Sequence, residues 1–233
     1  MVLPIILMSL SALTLAYFLF EKCKGYSLKA VFIKTVCSLL FIGLGIYSFY
    51  HSGFHRFSPF AVSALVFGML GDIFLEMKYV FREKDKEFTR AGFLVFGIGH
   101  ILYVTGMFLE FFHDHNALFI IVPLLLAVLM GALCIILEKP FKVKYGDFKW
   151  ICFAYAITLF ATSFSAFSLW MANGFNNTTL LLIFIGGVFF AISDLILNTT
   201  YFGEGHEKPF DLISNTVTYY IAQNLIAFSL FFL

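Results

Sequence analysis

Long apolar stretches alternate with short polar connections along the whole chain. Eight of them are long enough to cross a hydrocarbon layer of ~30 Å as a helix. They lie near residues 2–20, 29–49, 58–77, 90–111, 117–137, 148–171, 179–201 and 209–231. Apolar residues run continuously within each stretch and do not alternate with period two. The pattern therefore predicts helices and not the strands of a β-barrel.

Composition points to the same class of protein. Of the 233 residues, 61% are hydrophobic and 12% are charged, and the mean hydropathy is +0.93. A soluble domain has roughly 25% charged residues. The net charge of +1 gives no sign of a nucleic-acid partner, and the four cysteines have no metal or disulfide spacing. We predict an all-α membrane protein: a single transmembrane domain, residues 1–233, with eight transmembrane helices in the lipid bilayer.

Lys and Arg residues gather in alternate connections. The first, third, fifth and seventh connections hold three, five, four and one of the 15, whereas Arg56 lies in the second and Lys34 within a helix. Because loops rich in Lys and Arg stay in the cytoplasm, we expect both termini on the non-cytoplasmic side. The first stretch has no basic start and no clear cleavage site, so we expect it to be a retained helix.

Ionisable residues inside the predicted helices each cost a few kcal/mol, and five of them are candidates for function. They are Lys34, Asp72, Glu76, His100 and Asp194. Their distances from the predicted cytoplasmic helix ends place all but Glu76 roughly 8–15 Å below that boundary, in one layer. For Glu76 we expect a side chain that reaches the cytoplasmic surface, and Lys34 is long enough to do the same. A lone His100 is also typical of a neutral packing residue.

The two aspartates are the strongest functional candidates. A lone carboxylate at this depth is protonated or paired, and two at matching depth indicate a shared site. Asp72 is four residues from Glu76, and Asp194 is four residues from Asn198, so each pair projects from one side of its helix.

The two aspartates also lie in similar sequences. Residues 66–75, VFGMLGDIFL, resemble residues 188–197, VFFAISDLIL, at an offset of 122 residues. Residues 99–102, GHIL, fall near residues 222–225, AQNL. An offset of four helices predicts parallel repeats. We therefore expect a 4+4 parallel pseudo-twofold repeat, with halves of about 1–115 and 116–233 and both aspartates facing a central cavity.

Four short motifs carry a family resemblance. They are GD at residues 71–72, GHILY at 99–103, SD at 193–194 and YYIAQ at 219–223. Their order and spacing, and the chain length, resemble those of the YhhN, or lysoplasmalogenase, family. One departure is that Lys34 is followed by Thr35, where members often have proline.

The resemblance implies a multi-pass membrane hydrolase acting on a lysophospholipid. Such an enzyme cleaves the vinyl ether bond of lysoplasmalogen, giving a fatty aldehyde and glycerophosphoethanolamine or glycerophosphocholine. It implies the endoplasmic reticulum membrane for a eukaryotic source and the plasma or inner membrane for a bacterial one. The reaction begins with protonation of the vinyl β-carbon, and water then adds to the oxocarbenium ion. Two close carboxylates suit this chemistry, because one can hold a proton while the other is ionised.

We accordingly assign candidate roles without choosing which aspartate is the acid. Asp72 and Asp194 are the catalytic pair, with His100 as a relay. Lys34 is predicted to bind the lipid phosphate, and no cofactor or metal is expected. The remaining predicted substrate-binding residues are Glu76, Tyr103, Asn198, Tyr219, Tyr220 and Gln223.

Two other functions fit some of these features. A secondary transporter or lipid carrier is often built from repeats with midplane carboxylates, and broken helices would favour it. Gly186-Gly187 is the nearest case of such a break. A metal-dependent hydrolase using Asp72, Asp194 and His100 as ligands is the other alternative.

Overall fold

The computed structural model describes residues 2–113, 115–203 and 208–233, and it confirms the eight predicted helices. They are α1 (Val2–Lys24), α2 (Leu28–Ser52), α3 (Phe57–Val80), α4 (Asp85–Phe111), α5 (Leu118–Ile136), α6 (Lys149–Ala172), α7 (Thr178–Phe202) and α8 (Pro209–Ser229). Several helices extend beyond the predicted bounds, most of all α4, which begins five residues early. Part of the seventh predicted connection, residues 204–207, lies outside the described residues.

Helices α1 to α7 are long and apolar enough to cross a membrane. In the described part of the chain, α8 is not apolar enough to be counted with them, because polar residues interrupt its apolar sequence. Thr216, Tyr219 and Gln223 are nevertheless buried against neighbouring helices. The low hydropathy of α8 therefore reflects an inward polar face, and its passage through the bilayer stays a prediction.

Packing between helices follows the order of the chain. Within the halves, α1 packs on α2, α2 on α3 and α3 on α4, and likewise α5 on α6, α6 on α7 and α7 on α8. Between the halves, α4 packs on α6 and α2 on α8. If α1 to α4 are exchanged with α5 to α8 in order, each of these packed pairs becomes another pair of the set. The pattern agrees with a twofold arrangement, but the repeat itself remains a prediction.

Glycines allow the helices of the second half to approach closely. A Cβ added at Gly187 would lie 3.2 Å from the Cα of Ser163 in α6, and one at Gly186 would lie 3.1 Å from the backbone oxygen of Ala222 in α8. Helix α7 runs unbroken through both glycines. The sequence Gly186-Gly187 therefore does not break the helix, as it would in the transporter considered above. The two glycines instead allow α6 and α8 to pack closely on α7.

Candidate functional site

Asp72 lies at the centre of a buried polar network between α2, α3 and α8. Its side chain is almost inaccessible, with 2% of the residue exposed. Oδ2 accepts hydrogen bonds from the Ser38 hydroxyl at 2.7 Å and the Tyr219 hydroxyl at 2.9 Å. Oδ1 lies 3.4 Å from Nζ of Lys34. Both oxygens thus have partners that stabilise an ionised carboxylate.

Lys34 and Glu76 extend this network toward the predicted cytoplasmic side. Nζ of Lys34 lies 3.7 Å from Oε2 of Glu76, and Glu76 is also paired with Lys22. Glu76 is only 3% exposed, so the expectation that it reaches the surface is wrong. The reason is that Lys22 is buried at the end of α1 and supplies a cation to it.

Asp194, on α7, has a different environment. Its Oδ2 accepts a hydrogen bond from the hydroxyl of Tyr155 on α6. The hydroxyl of the preceding residue, Ser193, donates a hydrogen bond to the backbone oxygen of Asn215 at 3.0 Å. The side-chain amide of Asn215 donates to the backbone oxygen of Ser193 at 2.8 Å. These bonds fix α7 against α8 next to Asp194.

Asp72 and Asp194 line the same cavity. It has about 700 Å³ of empty volume, including its opening. The wall combines the two carboxylates with Lys34, Glu76 and aromatic rings. The aromatic residues in it are Phe18, Tyr79, Phe93, Phe96, Tyr155, Tyr201 and Tyr219. A polar centre thus faces apolar and aromatic walls, as in small-molecule sites generally.

Three predicted substrate-binding residues lie behind the cavity wall and do not line it: Tyr103, Tyr220 and Gln223. The Gln223 amide donates to the Tyr219 hydroxyl at 3.0 Å, and the Tyr103 hydroxyl donates to Oε1 of Gln223 at 3.4 Å. The Tyr220 hydroxyl lies 3.1 Å from that of Ser38. These residues reach Asp72 only through Tyr219 or Ser38, so they position its partners.

The structure does not bring His100 to the aspartate cavity. Its Nδ1 lies 3.0 Å from the Thr162 hydroxyl, and its ring packs against Phe190 with centroids 4.7 Å apart. Its Nε2 has no hydrogen-bond partner among the described residues. His100 borders a separate small void with Gln223 and Tyr103. A direct catalytic role for it finds no geometric support.

Asn198 lines a second, mainly apolar groove between α5, α6 and α7, with about 540 Å³ of empty volume. Its amide donates to the Tyr145 hydroxyl at 3.0 Å, and burial raises the pKa of Tyr145 to about 12. Asp194 and Tyr155 line both this groove and the aspartate cavity. The two spaces therefore meet at Asp194.

Sequence reasoning missed several residues of the site, including the partners of the three buried carboxylates: Ser38, Tyr155 and Lys22. Ser38 lies one helical turn after Lys34, on the same face, and this spacing was an available signal. Tyr155 gave no signal, since a tyrosine in an apolar helix is common. Lys22 was placed in a connection because it follows the first apolar stretch, whereas α1 continues to Lys24.

Within the described residues, no group of three or more His, Cys, Asp or Glu side chains is placed to hold a metal ion. The set considered for a metal-dependent hydrolase, Asp72, Asp194 and His100, does not form such a group, because His100 packs against Phe190 and borders a separate void. The aspartate cavity instead offers hydroxyl, ammonium and carboxyl groups.

Seven membrane-compatible helices and a buried carboxylate site define a polytopic membrane protein with a polar intramembrane cavity. The family resemblance is confirmed: residues 29–230 match the YhhN family, and the chain belongs to it. The match spans α2 to α8 and includes both aspartates. Comparisons with curated proteins and with solved structures gave no match.

Proposed function

We propose that this protein is a membrane lysoplasmalogenase that hydrolyses the vinyl ether bond of lysoplasmalogen. The products are a fatty aldehyde and glycerophosphoethanolamine or glycerophosphocholine. Membership of the YhhN family is consistent with this activity. The observation that carries the proposal is that Asp72 and Asp194 line one cavity with different hydrogen-bond partners.

Asp194 is the proton donor in this proposal. The Tyr155 hydroxyl occupies Oδ2 of Asp194, which leaves the other oxygen to carry a proton toward the substrate. Asp194 transfers that proton to the vinyl carbon farther from the ether oxygen, giving an oxocarbenium ion. General acids of this kind contribute typically ~10²–10⁴-fold to a rate.

Asp72 is the anion that stabilises the oxocarbenium ion. Its hydrogen bonds from Ser38 and Tyr219 and its proximity to Lys34 favour the ionised form. Water adds to the carbon bonded to the ether oxygen, and a proton returns to the carboxylate of Asp194. The hemiacetal then collapses to aldehyde and alcohol, so that one water is consumed for each bond broken.

The alkenyl chain lies in the groove between α5, α6 and α7. Leu159, Phe160 and Leu197 give this groove apolar walls, and it meets the aspartate cavity at Asp194. A lipid with its chain in the groove would therefore present the vinyl ether to the carboxyl of Asp194. The single tail of a lysoplasmalogen needs one such groove.

Orientation and symmetry belong to the same proposal. Both termini lie on the non-cytoplasmic side, as the distribution of Lys and Arg predicts. The two halves form a 4+4 pseudo-twofold repeat in which Asp72 and Asp194 are equivalent, and their unequal neighbours give them unequal roles. Glu76 and Asn198 are the corresponding residues one turn later.

The first experiment is aldehyde release from lysoplasmalogen by the purified protein in detergent, beside Asp72→Asn and Asp194→Asn. We expect activity in the wild type and a loss of about 100-fold or more in each variant that elutes as a folded monodisperse species. A folded, lipid-bound wild type that releases no aldehyde would refute the hydrolase and favour a lipid carrier. Activity that persists with a chelator would argue against the metal-dependent alternative.

Isotope incorporation tests the order of steps. In deuterated water, protonation by Asp194 places one solvent deuterium on the aldehyde carbon next to the carbonyl. The control is authentic aldehyde incubated with the protein, which measures exchange after release. Aldehyde without deuterium at this carbon would contradict protonation of the vinyl group.

A further inference from the structure

A second polar space lies outside the aspartate cavity, at the cytoplasmic side that the charge distribution predicts. This outer vestibule has about 710 Å³ of empty volume, including its opening to solvent. It is lined by Tyr26, Lys78, Tyr79, Arg82, Asp85, Thr200 and Tyr201. Tyr79, Thr200 and Tyr201 also line the aspartate cavity, so the two spaces are adjacent.

Two cations and one carboxylate lie within the vestibule. Nζ of Lys78 is 3.1 Å from the ring centroid of Tyr201 and 3.8 Å from Oδ1 of Asp85. The guanidinium of Arg82 lies 5.7 Å from the ring centroid of Tyr26, which stacks on Tyr79. A phosphodiester that carries a terminal amine matches this charge pattern, because it has one negative and one positive group.

Lys34, the predicted phosphate ligand, is part of the buried polar network around Asp72. It lies within ion-pairing distance of Asp72 and Glu76, and 14% of its side chain is exposed. A phosphate at Lys34 would stand next to two carboxylates. The side chain of Lys78 is 11% exposed and Arg82 is exposed, and the vestibule that they line holds one carboxylate, Asp85, in place of two.

The separation of the two spaces suits a glycerophospholipid. Lys78 lies six positions after Asp72 in α3, and Thr200 lies six positions after Asp194 in α7. Each is about 9 Å along a helix. The glycerol backbone, together with the long Lys and Arg side chains, can bridge this distance between the vinyl ether and the phosphate.

We propose that the outer vestibule is the head-group site, with the substrate's phosphate between Lys78 and Arg82 and its terminal ammonium at Asp85. The inference rests on the proposed function and assigns the residues that hold the head group of its substrate. Lys78 exchanges its contact with Asp85 for the phosphate, and Asp85 is then paired with the amine. Arg82 presents a planar fork that matches phosphate oxygens.

Binding of a non-hydrolysable lipid tests the site without needing activity. The probe is 1-O-alkyl-glycerophosphoethanolamine, a saturated ether, and the matched probe without a head group is 1-O-alkylglycerol. For the double variant Lys78→Gln/Arg82→Gln, we expect the dissociation constant for the phospholipid to rise at least about tenfold. Binding of alkylglycerol should be unchanged within about twofold. Failure of the hydrolase assay would leave this measurement intact.

Further variants and probes distinguish an effect of charge from an effect on folding. They also distinguish binding of the lipid from binding of a free anion. Lys86→Gln removes an exposed cation at the start of α4 that does not line the vestibule, and this variant should bind both probes normally. The charge-conserving Lys78→Arg/Arg82→Lys should keep most of the phospholipid affinity. Asp85→Asn should weaken binding of the ethanolamine lipid but not of alkylglycerol phosphate, which has no amine.

Three results would overturn the head-group site. In the first, the double variant binds the phospholipid as the wild type does. In the second, it loses alkylglycerol to the same extent. In the third, inorganic phosphate competes as strongly as the lipid, which would make the vestibule a site for free anions.

Discussion

Asp72 and Asp194 have the same side chain in the same cavity, but different neighbours. Asp72 receives two hydroxyl hydrogen bonds and lies beside an ammonium, whereas Asp194 receives the hydroxyl of Tyr155. Unequal surroundings let two carboxyl groups take opposite roles in one reaction. The sequence placed both aspartates in the membrane, but their partners come from other helices and were not predictable from local patterns.

Removing Lys34 should destabilise the fold by leaving two buried carboxylates with less compensating charge. We expect Lys34→Met to cost roughly 3 kcal/mol, as for other broken buried pairs, and Lys34→Met/Asp72→Asn to recover part of that loss. Thermal unfolding in detergent, followed by fluorescence of Trp150 and Trp170, measures both effects. Strictly additive effects of the two substitutions would contradict coupling between Lys34 and Asp72.

Tyr155→Phe should slow the reaction without weakening substrate binding. The change removes the hydroxyl that holds Asp194, a bond of about 1–1.5 kcal/mol, so kcat should fall roughly tenfold. Steady-state kinetics on lysoplasmalogen separates this loss from any change in KM. The control is Tyr50→Phe, at a tyrosine that is 86% exposed. An equal loss in both variants would argue against a specific role for Tyr155.

At the scale of the helix, hydropathy was sufficient to place all eight elements. The bilayer requires about 20 apolar residues per crossing, and this requirement dominates local propensity. The ends were less predictable: α1 continues to Lys24, past the last apolar residue, because Lys22 is buried against Glu76 and the rings of Tyr26 and Tyr79.

Close approach of α6 and α7 should depend on Gly187. A Cβ there would lie 2.5 Å from the Ser163 hydroxyl and 3.2 Å from its Cα, so Gly187→Ala should cost about 1–3 kcal/mol through overpacking. The matched control is Gly43→Ala in α2, where nothing lies within 4 Å of the new methyl group. Thermal unfolding should show a lower midpoint for Gly187→Ala and an unchanged or slightly higher one for Gly43→Ala.

Filling the groove between α5, α6 and α7 should change chain-length preference. Cys152 lines this groove, so Cys152→Trp should reduce kcat/KM for a long-chain lysoplasmalogen by about tenfold or more. A short-chain analogue that does not reach Cys152 should lose much less, and Cys152→Ala serves as the control for loss of the thiol. Equal losses with both substrates would place the chain elsewhere.

At the scale of the whole molecule, charge asymmetry predicts the orientation. Cys23 is exposed at the end of α1, on the predicted cytoplasmic side, and Asn176 is exposed in the sixth connection on the other side. A membrane-impermeable maleimide should therefore label Cys23 only in inside-out vesicles. In a Cys23→Ser background, Asn176→Cys should be labelled only from outside. The reverse pattern would invert the topology.

The depth of the site in the membrane could be predicted from the sequence, but the contacts between its residues could not. Charged residues in apolar helices are rare enough to mark a functional layer, which is why Asp72, Asp194 and Lys34 stood out. His100 shared that layer by depth, yet it faces a different void. Depth along a helix gives one coordinate of a residue. Its direction around the axis depends on the packing of several helices together.

The groove that meets the cavity at Asp194 also bears on how rates should be measured. Its lining is mainly apolar, and Ile135, Leu159 and Leu195 contribute to it. A tail that enters such a groove arrives from the surrounding lipid and not from bulk water. Turnover should then follow the mole fraction of substrate in the bilayer or micelle, so that adding inert lipid at constant bulk concentration slows the reaction. Meaningful Michaelis constants for this protein would accordingly be expressed per membrane surface.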